Sequence, residues 1–164
     1  MPTRGCVATG TPTSWKGVYN RFTSYPKGLG KEVWEHLQVI IAKEGDLKGF
    51  SDILNYPEWQ IYLARENASN AKIHHITSDN PNPLFTEWVY VVDVEKEMVY
   101  VLKSEGNESR PRVCVKAIRE IGPRADGTRV WDYGHCVYWH TLVGSFPLRG
   151  KEPDWENLRI PVVT

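Results

Sequence analysis

The residue with the clearest capacity for chemistry is Cys6, two positions after Arg4 near the start of the chain. A cysteine thiolate is a competent nucleophile when a nearby cation lowers its pKa. Arg4, Arg21, His135 and His140 are candidates for that cation or for a general base. The alternative is a small, buried, apolar residue, which is the commonest state of a free cysteine. Residue types alone favour the buried cysteine over the nucleophile.

A second candidate is the loop from Tyr25 to Lys31, in which Gly28 and Gly30 precede a predicted helix. Backbone N–H groups at a helix start attract anions, and glycines allow a ligand to approach the backbone. Lys27 and Lys31 add positive charge. The spacing is not that of a Walker A motif. An anion site and a plain turn that needs two flexible residues both fit this pattern.

The strand that ends at His140 is a third candidate. A period of two places Cys136, Tyr138 and His140 on one face. A histidine at the end of a buried strand can serve as a general base, or it can be a hydrogen-bonded core residue. No second pair of residues at ligand spacing accompanies Cys136 and His140, so we predict no metal site and no cofactor.

The N-terminal segment combines aromatic and basic side chains, namely Trp15, Lys16, Tyr19, Arg21, Phe22, Tyr25 and Lys27. Such a mixture is typical of a stacking platform for single-stranded nucleic acid. The chain as a whole carries 20 Lys plus Arg against 20 Asp plus Glu. A balanced charge disfavours nucleic acid as a partner and favours core aromatics that lie beside surface charges. The expected partner is then an unidentified small molecule or protein.

The length of 164 residues predicts a single domain, 1–164. The N-terminus has no apolar stretch typical of a secretory signal, and no run of about 18 apolar residues predicts a membrane span. The three cysteines lack CxxC spacing. An odd, sparse set of this kind predicts reduced thiols and a cytoplasmic location.

The elements that would position these residues begin with a hairpin of strands over 5–10 and 15–22. A helix is predicted from Gly30 to Glu44, ended by Gly45, because apolar residues recur there at helical spacing. Two short helices should follow between residues 46 and 63. Residues 67–83, which include His74 and His75, predict a long polar loop.

A central hairpin is predicted over 87–103, with apolar residues on both faces of both strands. Residues 104–111 predict a loop, 112–121 a strand, 122–127 a turn and 129–146 further strands, before an irregular tail. The order predicts an α+β fold, with antiparallel β-sheets and helices packed on the outside. A four-layer αββα sandwich is one form of it.

Two stretches resemble a known group of proteins. Arg4 to Ala8, Gly17-Val18-Tyr19 and the Tyr25–Gly30 stretch resemble the opening of an uncharacterised family of small bacterial and phage proteins. Residues 87–93 are similar to a later strand of that group. The resemblance covers about a quarter of the chain and implies no chemistry. Members often carry His and Asp where this chain has Arg21 and Thr23.

The stretch Cys6-Val7-Ala8-Thr9-Gly10 also resembles the start of N-terminal-nucleophile hydrolases such as glutamine amidotransferases. That resemblance implies an αββα fold with Cys6 as the nucleophile. Five residues precede Cys6, so a free α-amino group would require processing. Val7 stands where those enzymes have glycine.

Two functions therefore follow as hypotheses. The first is a non-catalytic ligand- or partner-binding module that uses the N-terminal segment. The candidate binding residues are Arg4, Tyr19, Arg21, Tyr25, Gly28, Gly30 and Lys31. The alternative is a cysteine-dependent amidohydrolase with Cys6 as nucleophile, His140 as a catalytic partner and the arginines as substrate clamps. The absence of a complete nucleophile–base set favours the binding module.

Overall fold

A computed structural model describes residues 3–20, 23–47, 75–78, 87–106, 119–123, 129–132 and 137–158. Several predictions fall outside these residues. They include the candidate site residue Arg21, the two short helices from residue 48 onward, most of the polar loop and most of the strand predicted over 112–121.

The described residues form one eight-stranded sheet and one α-helix. The strands and helix, in chain order, are β1 (Gly5–Thr11), β2 (Ser14–Asn20), α1 (Lys31–Glu44), β3 (His75–Thr77), β4 (Trp88–Asp93), β5 (Met98–Gly106), β6 (Arg119–Pro123), β7 (Arg129–Asp132) and β8 (Val137–Pro147). The order across the sheet is β3-β2-β1-β4-β5-β8-β7-β6.

The α+β prediction is confirmed, with a helix packed on the sheet. The sheet is mixed, because β1 pairs in parallel with β4 while the other described pairings are antiparallel. A four-layer sandwich needs a second sheet, and the described part of the chain forms a single one.

The central hairpin of β4 and β5 is buried on both faces, as its sequence predicts. Tyr90 and Val92 contribute to one apolar cluster, whereas Val89 and Val91 contribute to another on the opposite face. Alternate side chains of a strand point to opposite faces, so two clusters require cover on both sides. The hairpin also lies in the middle of the strand order.

We call the side of the sheet that carries α1 the helix face. Val33, Trp34, Leu37 and Ile40 form one stripe of α1 and are buried there, as their spacing predicts. Gly45 ends the helix in a left-handed conformation, with its N–H donating to the Ile41 carbonyl at 2.8 Å. The buried apolar residues of this face are Val7, Val18, Leu29, Val33, Trp34, Leu37, Ile40, Leu47, Tyr90, Val92, Val99, Val101, Leu148 and Trp155.

We call the opposite side the far face. Its buried residues are Cys6, Ala8, Trp15, Val89, Val91, Tyr100 and Leu102. The side chains from β1 are small, and Gly17 lies beside them on β2. A Cβ at position 17 would lie 2.5 Å from Cys6 Sγ and 2.7 Å from Ala8 Cβ. Close packing of β1 and β2 on this face therefore requires glycine at position 17.

The sheet is strongly coiled, and the far face is concave. Three strands separate β2 from β8 in the sheet, so a flat sheet would hold them about 19 Å apart. The rings of Trp15 on β2 and His140 on β8 nevertheless meet edge to face, with 6.0 Å between their centroids. A bulge between β5 and β8, at the Val101/Leu102 register shift, accompanies this curvature.

A π-helical turn, Pro26–Gly30, leads directly into α1 and is anchored to the sheet by Tyr90. The Tyr90 hydroxyl donates to the Ser24 carbonyl at 2.6 Å. The same ring packs against Gly30, whose other neighbour is Trp155. Tyr90 of β4 and Trp155 therefore fix the position at which α1 begins.

The turn between β4 and β5 is joined to the end of α1 by Arg149. Its guanidinium donates to both carboxylate oxygens of Glu97, at 3.0 Å each, and to the Gly45 carbonyl at 2.5 Å. Gln38 of α1 donates to the Leu148 carbonyl at 2.6 Å. These contacts fasten the segment after β8 to the helix face.

Three sequence predictions are wrong in detail. β5 continues through Gly106, because residues 104–106 pair with β8, so a loop does not begin at 104. Gly122 and Pro123 belong to β6 and not to a turn. Gly122 pairs with Val130 just after a register shift at Ile121, and Pro123 ends an edge strand. His75 to Thr77 form β3, since pairing with β2 overrides their polar surroundings.

The helix α1 contains 14 residues, which gives a length of about 21 Å. Among the described helices, none is long and apolar enough to span a bilayer.

We predict that Gly30→Ala destabilises the protein by about 1–3 kcal/mol through overpacking. The backbone at Gly30 is right-handed helical, with φ −57° and ψ −48°, so helix propensity alone would favour alanine by about 1 kcal/mol. The new Cβ would lie 2.8 Å from Tyr90 Cε1 and 2.9 Å from Trp155 Cζ3. Chemical denaturation measures the change.

Gly45→Ala is the matched control. No atom lies within 4 Å of a Cβ built at Gly45, and its φ is +87°, so its loss should come from the backbone alone, at about 1 kcal/mol. Trp155→Leu should relieve part of the Gly30→Ala loss and none of the Gly45→Ala loss. A Gly30→Ala variant more stable than the parent protein would contradict this packing.

Candidate functional site

Cys6 lies in the buried centre of the far face. Its side chain has no solvent exposure, and it pairs in register with Tyr19 on one side and Val89 on the other. The thiol donates to the Val7 carbonyl at 3.7 Å. Burial raises the pKa of the Cys6 thiol far above its ordinary value, so the group is neutral at physiological pH. These properties are those of a core residue.

Arg4 lies two residues before Cys6 in the chain, and Tyr19 lies opposite Cys6 in the pairing of β1 with β2. The Arg4 carbonyl accepts the Trp88 N–H at 3.3 Å, which continues the parallel ladder of β1 and β4. Tyr19 is partly buried. Both residues flank a closed part of the sheet, and no opening toward the Cys6 thiol accompanies them in the described residues.

The backbone of the Tyr25–Lys31 loop is occupied by its own hydrogen bonds. The Gly28 N–H donates to the Tyr25 carbonyl at 2.9 Å, and the Leu29 N–H donates to the Thr23 carbonyl at 2.8 Å. Gly30 is buried between two aromatic rings. Lys31 is exposed, with its ammonium 3.9 Å from Glu35. This geometry favours the packing explanation for the two glycines over the anion site.

His140 is buried on the far face against Trp15. It pairs in register with Ser104 of β5, so β4 and β5 stand between its strand and that of Cys6. Its neighbours Trp139 and Thr141 point to the helix face, where both donate to Glu105 Oε2. The contact between the His140 and Trp15 rings joins β8 to β2 across the concave far face.

A depression lies elsewhere, at the turn end of the N-terminal hairpin. It has a volume of about 390 Å³ and is lined by Thr9, Ser14, Trp15, Lys16, Thr77 and Ser78. Four of these residues carry hydroxyl groups and one carries an ammonium group. It combines residues from three adjacent strands and the residue that follows β3.

Three lining residues form a row across the sheet. Thr9 of β1 pairs with Lys16 of β2, and Lys16 pairs with Thr77 of β3. Directly paired residues point to the same face, with Cβ atoms about 4.5–5.5 Å apart. The row continues through Val92 of β4 on the helix face. Backbone pairing therefore places the Cβ atoms of Thr9, Lys16 and Thr77 side by side on one face of the sheet.

The wall of the depression is held by two hydrogen bonds between Trp15 and Ser78. The Trp15 N–H donates to Ser78 Oγ at 3.0 Å, and the Ser78 N–H donates to the Trp15 carbonyl at 2.8 Å. Ser78 is 6% exposed. Its hydroxyl oxygen accepts a bond from the backbone, so its own proton remains available to a ligand.

The rim is shaped by the turn between β1 and β2. Thr11 Oγ1 accepts the Ser14 N–H at 3.2 Å, which closes the turn. Gly10 has a φ of +135°, a conformation that side chains rarely adopt. A Cβ there would lie 2.3 Å from the Ser14 carbonyl oxygen. The hairpin end that presents Ser14 and Lys16 therefore depends on glycine at position 10.

The sequence predicts only part of this site. Trp15 and Lys16 belong to the aromatic and basic N-terminal segment. The sequence predicts a strand at Thr9 but no role for its side chain, and it predicts a loop at Thr77 and Ser78. Their only local signal is the short alternation of apolar Ile76 between polar neighbours. Pairing with β2 reveals their position.

Comparison of the chain with protein-family models, with curated proteins and with solved structures found no match. Within the described residues, no three side chains of His, Cys, Asp or Glu come together in a way that could hold a metal ion.

We predict that folding stability falls as the pH rises above about 9, the ordinary thiol pKa. The buried Cys6 thiol keeps its proton in the folded state, whereas an exposed thiol ionises. The protonated Cys6 thiol therefore makes its full contribution to the free energy of unfolding below pH 9. Above pH 9 that free energy falls by up to about 1.4 kcal/mol per pH unit. Burial also raises the pKa of Tyr90, so the contribution of its protonated hydroxyl to the free energy of unfolding is lost above about pH 10.

Denaturant unfolding between pH 8 and 11 measures these slopes. Cys6→Ala should flatten the dependence from pH 9, and Tyr90→Phe should flatten it from pH 10. Slopes are compared, because each substitution also lowers the baseline. Identical slopes for Cys6→Ala and the parent protein would show that the Cys6 thiol is accessible in the folded state.

Proposed function

We propose that this protein is a non-catalytic ligand-binding module, and that the depression at the turn end of β1 and β2 is its binding site. The observation that carries the proposal is the cross-strand row of Thr9, Lys16 and Thr77 beside Ser78. It gathers hydrogen-bond donors of several kinds in one concave place. Small-molecule sites are typically concave, with a few convergent polar groups.

The site is built on strands, which supports binding without a large rearrangement. β1 is paired along its length with β2 and along most of it with β4. Thr9 is 8% exposed, and Val92 beside it is buried under the helix face. Groups held on rigid elements lose little freedom when they bind, so more of the interaction energy appears as affinity.

The alternative is the cysteine hydrolase, in which Cys6 attacks an amide carbonyl. That reaction needs a thiolate that a substrate can reach. The burial of Cys6 and its raised pKa speak against both requirements. No histidine pairs with Cys6 in register, since its neighbours across the strands are Tyr19 and Val89.

We predict that Cys6 resists alkylation in the folded protein. Iodoacetamide at pH 8, followed by peptide mass spectrometry, follows each cysteine separately. The Cys6 peptide should react more than a hundredfold more slowly than in the unfolded chain, because reaction requires opening of the sheet. Rapid alkylation at Cys6 in the folded state would favour the hydrolase.

We predict that small polar fragments bind at the depression. Amide chemical shifts of ¹⁵N-labelled protein report the site of each bound fragment. The largest saturable shifts should fall on Thr9, Lys16, Thr77 and Ser78, because their groups converge there.

Two lysine variants give the contrast. Lys16→Met should weaken fragment binding. Lys31→Met changes an exposed lysine at the start of α1 and should leave fragment binding unchanged. Loss of binding in Lys31→Met alone would indicate that the fragments bind at the Tyr25–Lys31 loop. Saturable shifts confined to other parts of the protein, or absent throughout, would refute the depression as the site.

A further inference from the structure

The lining of the depression carries positive charge and hydrogen-bond donors. Lys16 provides an ammonium group, Thr9, Ser14, Thr77 and Ser78 provide hydroxyl groups, and none of the six lining residues is a carboxylate. A concave site with one sign of charge concentrates ligands of the opposite sign. The ligand group that fits this lining is therefore an anion.

The donors remain available to such a ligand. In the described part of the chain, Lys16 forms no ion pair, and the Thr9 hydroxyl has no hydrogen-bond partner. Ser78 Oγ accepts the Trp15 N–H and keeps its proton for another acceptor. Lys16 of β2, Thr9 of β1 and Ser78 after β3 therefore each keep a donor that a bound ligand can use.

The number of donors in the lining bears on which anion fits it. Thr9 and Thr77 lie on either side of Lys16, each one strand away, which is a step of about 4.8 Å. A planar carboxylate offers two oxygens on one edge. A phosphoryl group carries three terminal oxygens and a charge of about −1.5 to −2, so it has more acceptor sites for the ammonium and hydroxyl groups of this lining than a carboxylate has.

The volume of the depression indicates the size of the molecule that would carry such a group. At about 390 Å³ the depression falls within the range of sites for small organic ligands, about 300–1,000 Å³, and is far larger than a free phosphate ion. The remaining space beside Ser14 would hold the rest of such a molecule.

We infer that the depression recognises the phosphoryl group of a small phosphate ester, with Lys16, Thr9 and Thr77 as its direct donors and Ser78 as a fourth. This inference rests on the proposed function, because it names the ligand class of the same site.

The experiment compares esters with their dephosphorylated counterparts. ¹⁵N-labelled protein is titrated with glucose 6-phosphate and with glucose, and separately with adenosine monophosphate and adenosine. Inorganic phosphate is a fifth probe. At least one ester should give saturable shifts at Thr9, Lys16 and Thr77 while its counterpart gives none, because the counterpart lacks the anionic group.

Charge and hydroxyl variants test the named donors. Lys16→Met should weaken ester binding about tenfold, the typical effect of removing one charged hydrogen bond. Thr77→Val removes one hydroxyl at nearly constant volume and should weaken binding severalfold. Lys43→Met, at an exposed lysine of α1 that belongs to neither candidate site, should leave the affinity unchanged. A Lys16→Met variant that binds the ester as tightly as the parent would overturn the inference.

The remaining outcomes separate the inference from the proposed function. If neutral fragments bind at the depression and neither ester does, the ligand class is wrong and the binding module stands. If glucose or adenosine binds as tightly as its phosphate, the phosphoryl assignment is wrong. Inorganic phosphate with the same affinity as the esters would overturn the assignment to an ester. If no fragment and no ester binds there, both proposals fail.

Discussion

The parallel pairing of β1 with β4 is the constraint on which the described structure depends. It is the junction between the N-terminal hairpin and the central hairpin, and it runs from Gly5 opposite Trp88 to Thr9 opposite Val92. Through it, β1 becomes an interior strand that is buried on both faces. The helix face gains Val7 and Val18, and the far face gains Cys6 and Ala8. Because β1 also carries Thr9, the same junction sets the position of one wall of the depression.

This constraint accounts for the residue types that first suggested catalysis. An interior strand in a strongly curved sheet needs small side chains on its concave side, and Cys6, Ala8 and the neighbouring Gly17 meet that need. Gly30 has a comparable origin, since two aromatic rings leave no space for a Cβ there. A cysteine and a glycine-containing loop are also what a nucleophile and an anion site require. Composition alone does not separate the two explanations, whereas burial favours the packing one.

Sequence patterns predicted the elements whose burial is local and periodic. The stripe of α1, its end at Gly45 and the two apolar faces of the central hairpin all followed from spacing. The parallel pairing of β1 did not, because a strand's sequence does not reveal its neighbours when they lie far away in the chain. β3 was missed for the same reason, since its three residues are a strand through their contact with β2. The depression depends on both of these long-range pairings, so its donors could not be assembled from the sequence.

The contact between Trp15 and His140 bears on how the chain reaches this structure. The two rings lie near opposite ends of the sequence, yet they touch across the concave side of the sheet. During synthesis the hairpin of β1 and β2 is made before β8, so Trp15 has no His140 to pack against until that much later strand has also been made. Long-range contacts of this kind slow folding, because the chain loses entropy before the contact forms. Until then the Trp15 side of this hairpin is incompletely packed, and chaperones or other copies of the chain can bind to it.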